Sequence, residues 1–157
     1  MDIDKLNSLP EWDDFKHFHY NEEGEDWKNK PKLERAKNLY NQAREIYKYA
    51  TIFTETLKGE MAEMTKELIL QNAMMLCPKI MGAEGGDIYI LRMENASIIR
   101  TNARELETQV KAALLFEQCN KKDAHVVIAE IEKFKELFKI WVSHFEKDDI
   151  TDDWGLY

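Results

Sequence analysis

Five carboxylates in the middle of this chain have the type and spacing to hold a divalent cation. Glu60, Glu63 and Glu67 recur at steps of three and four, which sets them on one face of a helix; Glu84 and Asp87 follow about twenty residues later. Hard oxygen ligands drawn from neighbouring helices suit Mg²⁺. Between the last two acids stand Gly85 and Gly86, in the stretch MGAEGGD at residues 81–87. Glycine-rich backbone cradles phosphate when a strand precedes it and Lys with Ser or Thr follows. Here acids flank the glycines and a helix-forming run precedes them. The stretch therefore reads as a reversal, with Gly82 in the left-handed position that ends one helix, Gly85 and Gly86 turning the chain, and Asp87 capping the next helix.

The pair Glu60-x-x-Glu63 with Glu84-x-x-Asp87 resembles the pattern by which all-α nucleotide pyrophosphohydrolases of the MazG and dimeric dUTPase type hold Mg²⁺. That resemblance covers four positions and implies a metal-dependent phosphohydrolase. It departs where Glu84 and Asp87 straddle two glycines instead of facing inward from a helix. The bland reading is a solvated acidic face with no metal and no cofactor, and it is the one expected.

A second constellation lies just behind the turn. Asn95, Asn102 and Gln109 recur every seven residues beside an apolar seam, and Arg92 stands in the seam itself. Reflecting the preceding helix about the glycine turn places Glu67 near Asn102, and Asn72 near Ser97 and Asn95. Buried groups of this kind must find partners or carry a penalty of about 1–3 kcal/mol. One reading is a polar layer that fixes helix register; the other is a ligand pocket between helices, with Arg92, Asn95, Asn102 and Glu67 as its lining. Arg92 is expected to meet a carboxylate, and Asn102 to meet Glu67 or a backbone group.

Other site chemistries fall away. None of His17, His19, His125 and His144 follows a Glu by three residues, which a ferritin-like di-iron site would need. Cys77 and Cys119 form no CxxC and have no histidine at a telling spacing, so both read as buried small hydrophobes. No catalytic residue is assigned.

The elements that must position these residues are helices. Leu33, Ala36, Tyr40, Ala43, Tyr47, Ala50, Thr54 and Leu57 alternate steps of three and four, predicting a helix over roughly 31–58 that stops at Gly59. A second, over roughly 60–81, is apolar nearly all round from Leu68 to Cys77 and is expected to be the most buried, with Pro78 loosening its last turn. The third, over roughly 87–118, has Tyr89, Arg92, Ala96, Ile99, Ala103, Leu106, Val110 and Ala113 in the same rhythm. The fourth, over roughly 122–146, is seamed by Val127, Ile131, Phe134, Phe138, Trp141 and Phe145, with Asn120 or Asp123 as its cap. Short loops make neighbours antiparallel, so the fold is expected to be all-α: an up-down-up-down four-helix bundle over residues 31–146.

Two acidic ends flank it. Residues 1–30 form an extension rich in aromatics, broken by Pro10 and Gly24 and bounded by Pro31, and residues 147–157 form a short acidic tail. Of the net charge of −8, residues 1–31 carry nine acids against four lysines and residues 146–157 five acids against one, leaving the helical body near neutral. Such ends repel nucleic acid and anionic lipid. No apolar run approaches a membrane span, and no secretory signal opens the chain, so the cytoplasm is the expected location. Trp12, Phe15, Phe18 and Trp27 are expected to pack on the bundle or on a second subunit, since large aromatics left in water make an apolar patch.

The run KIMGAEGGDIYILRMENASIIRTNAREL, with its Gly-Ala-Glu-Gly-Gly-Asp turn and Arg-Met-Glu-Asn-Ala helix, resembles a group of small bacterial helical proteins that have an acidic, Trp-rich leader and no assigned activity. The resemblance implies a helical fold and nothing catalytic. The expectation for function is a non-enzymatic bundle acting through protein contacts, including self-association as a homodimer; the alternatives are the Mg²⁺ phosphohydrolase and the ligand-binding bundle.

Overall fold

The computed structural model describes residues 9–14 and 26–157. Four helices follow one another: α1 (Asp26–Glu55), α2 (Ala62–Glu84), α3 (Tyr89–Leu115) and α4 (Lys121–Ser143). Each packs on its neighbours in sequence, and α4 closes the ring on α1, giving the up-down-up-down bundle. The α2–α3 pairing is the most extensive and the α3–α4 pairing the thinnest.

The apolar seams meet as their spacing requires. Ala36, Leu39, Tyr40, Ala43 and Ile46 of α1 are buried against Ile69, Leu76 and Ile80 of α2, Ile99, Leu106 and Val110 of α3, and Val127, Phe134 and Trp141 of α4. The turns are built locally. Gly59 takes the left-handed backbone (φ 99°) between α1 and α2. Asn120 caps α4 by accepting from the Asp123 amide at 2.8 Å, while its own amide donates to the Asp123 carboxylate at 2.7 Å.

Several boundaries depart from the sequence reading. α1 begins at Asp26 and runs through Pro31, so the bundle reaches into the stretch assigned to the extension. α2 runs through Pro78 and on to Glu84, and Gly82 lies inside it. The C-cap Gly85 has φ −69°, so no left-handed glycine ends the helix. Asp87 does not cap α3 either: the N-cap position is Ile88, and the Tyr89 amide is met by Asp148 Oδ2 at 2.9 Å, reaching over from the segment after α4. Tertiary structure supplies the cap that the local sequence lacks.

Of the N-terminal aromatics, Trp12 is buried, edge-on to Tyr40 with ring centroids 5.7 Å apart, and the Tyr40 hydroxyl donates to the Pro10 carbonyl at 2.7 Å. Phe15, Phe18 and the side chain of Trp27 lie outside the described residues, as do His17 and His19.

Candidate functional site

The reversal between α2 and α3 gathers a polar cluster that draws on all four helices. Because α2 continues one and a half turns beyond Pro78, Glu84 swings inward, and its side chain is only 4% exposed. Its Oε1 accepts from Arg92 at 2.7 Å and from Trp141 Nε1 at 2.8 Å, so one carboxylate joins α2, α3 and α4. The Arg92 guanidinium lies over the Phe145 ring at 4.1 Å, a cation–π contact sheltered from water. Asp87 pairs with Lys32 of α1 and stands 3.9 Å from Arg92. The lysine's hydrogen bond holds the Asp87 carboxyl below its ordinary range, against a smaller opposing effect of burial. Arg92 Nε has no hydrogen-bond partner among the described residues.

These contacts describe a tie between helices. Every oxygen and nitrogen named in it, apart from Arg92 Nε, is occupied by another side chain of the fold. Trp141 was invisible to the sequence reading as a member of this cluster. Its signal was the indole N–H, which a buried tryptophan must satisfy.

The other proposed lining residues are not brought to this cluster. Asn102 is half-buried and donates to the Ile98 carbonyl of its own helix at 3.0 Å. Glu67 is exposed and accepts from Gln71 at 3.3 Å, so of the two partners expected for Asn102, Glu67 or a backbone group, it takes the backbone group. Asn72 pairs with Gln109 at 3.0 Å, far from Ser97 and Asn95 in sequence. The reflection failed because it folded the chain about Gly85 itself, whereas α2 ends at Glu84, the turn occupies residues 85–88, and Asn72 meets α3 about three turns beyond Ser97. Asn95 donates to the Leu91 carbonyl at 2.9 Å and packs on Gly82, where an added Cβ would stand 3.1 Å from its Oδ1. Gly82 thus serves close helix approach, where a stop had been expected.

The five carboxylates are dispersed too. Glu60 and Glu63 are exposed near the start of α2, Glu67 one turn on, and Glu84 and Asp87 lie at the opposite end of that helix. Among the described residues no three His, Cys, Asp or Glu side chains stand where they could hold one metal ion. Glu84 faces inward, contrary to the expectation that both late acids lie on an open turn. Cys77 is buried, and burial pushes its thiol up to about 12, so it stays protonated at neutral pH.

The bundle covers only part of the apolar surface of α2. Its all-round apolarity predicted deep burial, yet Met61, Met64, Leu68, Met74 and Met75 are each about two-fifths to one-half exposed. Ile98 and Leu91 of α3 stand exposed as well. A helix with two apolar faces has only one covered by this bundle. No family model, curated protein or solved structure matches the chain.

Proposed function

We propose that this protein is a non-enzymatic helical bundle that acts through protein contacts, and that the outer face of α2 associates with a second copy of the chain. The observation that carries this reading is the uncovered second apolar face. Met61, Met64, Leu68, Gln71, Met75, Pro78 and Gly82 alternate steps of three and four along one line of α2, all of them exposed and none charged. In a chain that is 33% charged residues with net charge −8, an uncharged line of that length is a composition suited to an interface core. Methionine fills irregular gaps and tolerates repacking, which suits a face that is covered only on association.

Two features favour a second copy as the occupant. Gln71 sits at the midpoint of the line, so a two-fold axis through it sets two such lines antiparallel with the amides facing each other. An amide both donates and accepts, and so is complementary to itself. The extent is also right. The line rises roughly 32 Å at about 1.5 Å per residue. With the rim of α3 beside it at a spacing of ~9 Å and each helix about 10 Å across, the strip spans roughly 600 Å², the larger part of the ~800 Å² per partner of a standard interface.

Sedimentation velocity over a range of concentrations tests this reading. A dimer that Leu68→Glu converts to monomer, with helix content unchanged, is the expected result. Leu68 is exposed in the single chain, so the substitution leaves the fold intact. A chain that stays monomeric up to about 200 µM, roughly 5 kcal/mol of association, would sink it.

A further inference from the structure

We propose that the groove between α3 and α4 binds a small amphipathic carboxylate, a medium-length acyl or aryl acid. The thin α3–α4 pairing leaves a cavity of about 350 Å³ on the side of the bundle away from the α2 face. Its floor is apolar, formed by Ala103, Ile131, Phe134 and Phe138, with the two phenylalanine rings stacked at 6.3 Å between centroids. Its rim is cationic: Arg100 and Arg104 project from α3, Lys135 and Lys139 from α4, and Glu107 is the one acid lining it.

The four cations are not equivalent. Lys135 pairs with Glu132 at 3.3 Å and Lys139 with Glu136 at 2.7 Å, one turn along their own helix. Glu107 is likewise paired, with Lys111. Arg100 and Arg104 have no ion-pair partner among the described residues, although the chain carries eight more negative charges than positive ones. Standing four residues apart, the two arginines share one side of α3 and open onto an apolar floor.

That juxtaposition selects the ligand chemistry. A planar guanidinium matches a carboxylate with two parallel hydrogen bonds, which an uncharged head cannot return. The phenylalanine floor takes the apolar body. At ~30 Å³ per water-sized group, the volume holds about a dozen non-hydrogen atoms, the size of a ten-carbon acid. The site lies apart from the proposed α2 interface and does not depend on it.

Decanoate and decanol, titrated separately by calorimetry, test the proposal. The intact chain should bind one decanoate at least about tenfold more tightly than decanol, a difference of roughly 1.4 kcal/mol. The double variant R100Q/R104Q, altered only at exposed positions, should lose that preference while keeping its unfolding midpoint. The control K121Q/K122Q removes two exposed cations at the start of α4, away from the cavity, and should keep it. Equal affinity for acid and alcohol, no saturable decanoate binding below about 1 mM, or an equal loss in the control would each overturn the site.

Discussion

Glu84 has the most to lose from a single change. Its carboxylate is the common acceptor for Arg92 and Trp141, and removing it strands a buried guanidinium and a buried indole N–H together. Glu84→Ala should therefore cost about 3–5 kcal/mol in denaturant unfolding, the range for breaking a buried ion pair from one side. Replacing Arg92 and Glu84 together with methionine and leucine should recover most of that, leaving only the unpaired Trp141 nitrogen at about 1–3 kcal/mol. A loss of under about 1 kcal/mol for Glu84→Ala would mean that water reaches the cluster and screens it. Asn102 offers a contrast. Its partner is a carbonyl already within its own helix, so Asn102→Ala leaves nothing stranded across an interface.

Glu130 makes the same point with a pH dependence. It is buried where α4 meets α1; burial raises its pKa, but hydrogen bonds from Lys133 and from Gln42 at 2.7 Å outweigh that and hold it below the ordinary range. A depressed folded pKa means stability that is complete above the unfolded value of about 4.3 and fades as pH falls through the folded one. Glu130→Gln should cost about 1–2 kcal/mol at neutral pH, with the gap from the parent chain closing in acid. Unfolding curves at successive pH values give the answer, and a gap that widens in acid would reverse the assignment.

At the scale of elements, the α2–α3 pair depends on how closely two backbones approach. Gly82 inside α2 leaves room for Asn95, and the amide side chain takes that room. Gly82→Ala carries a helix-propensity gain of about 0.8–1 kcal/mol. In the parent chain the new methyl crowds Asn95 Oδ1, so the gain should be reduced or lost. In an Asn95→Ala background it should appear in full, giving a coupling of at least about 0.5 kcal/mol in the double-mutant cycle. Strict additivity would show that Asn95 moves aside freely. Asp148, at the start of α3, is an element-scale device of another kind: a cap delivered from 59 residues away, which no window of local sequence could reveal.

For the whole molecule, the charge layout and the apolar face of α2 act in opposition. A chain of net charge −8 repels its own copy, while the line of seven residues proposed for association contains no charged residue. Added salt screens that repulsion and leaves apolar contact in place. Self-association should therefore tighten as salt rises from roughly 20 to 200 mM, over which the Debye length shrinks severalfold. Weakening over the same range would point to an interface held by ion pairs, and the α2 face would lose its claim.

Periodicity alone determined the helix count, the order of the helices and most of the core, because the seams of α1, α3 and α4 repeat at the helical period and each has only one way to be buried. Asn120 as the cap of α4 and Gly59 as the turn before α2 were legible for the same reason: their partners lie within four residues. Arg92 in an apolar seam announced that a carboxylate had to be near. Which carboxylate it was, and that Trp141 shares it, depended on where α2 ends, and no local rule stops that helix before Glu84. The two faces of α2 show the limit most plainly. The pattern of Leu68, Met74, Met75 and Leu76 is equally apolar on both sides, so sequence could establish only that both resist water. Tertiary structure decided which side the bundle covers, because the described residues provide three other helices to pack against it.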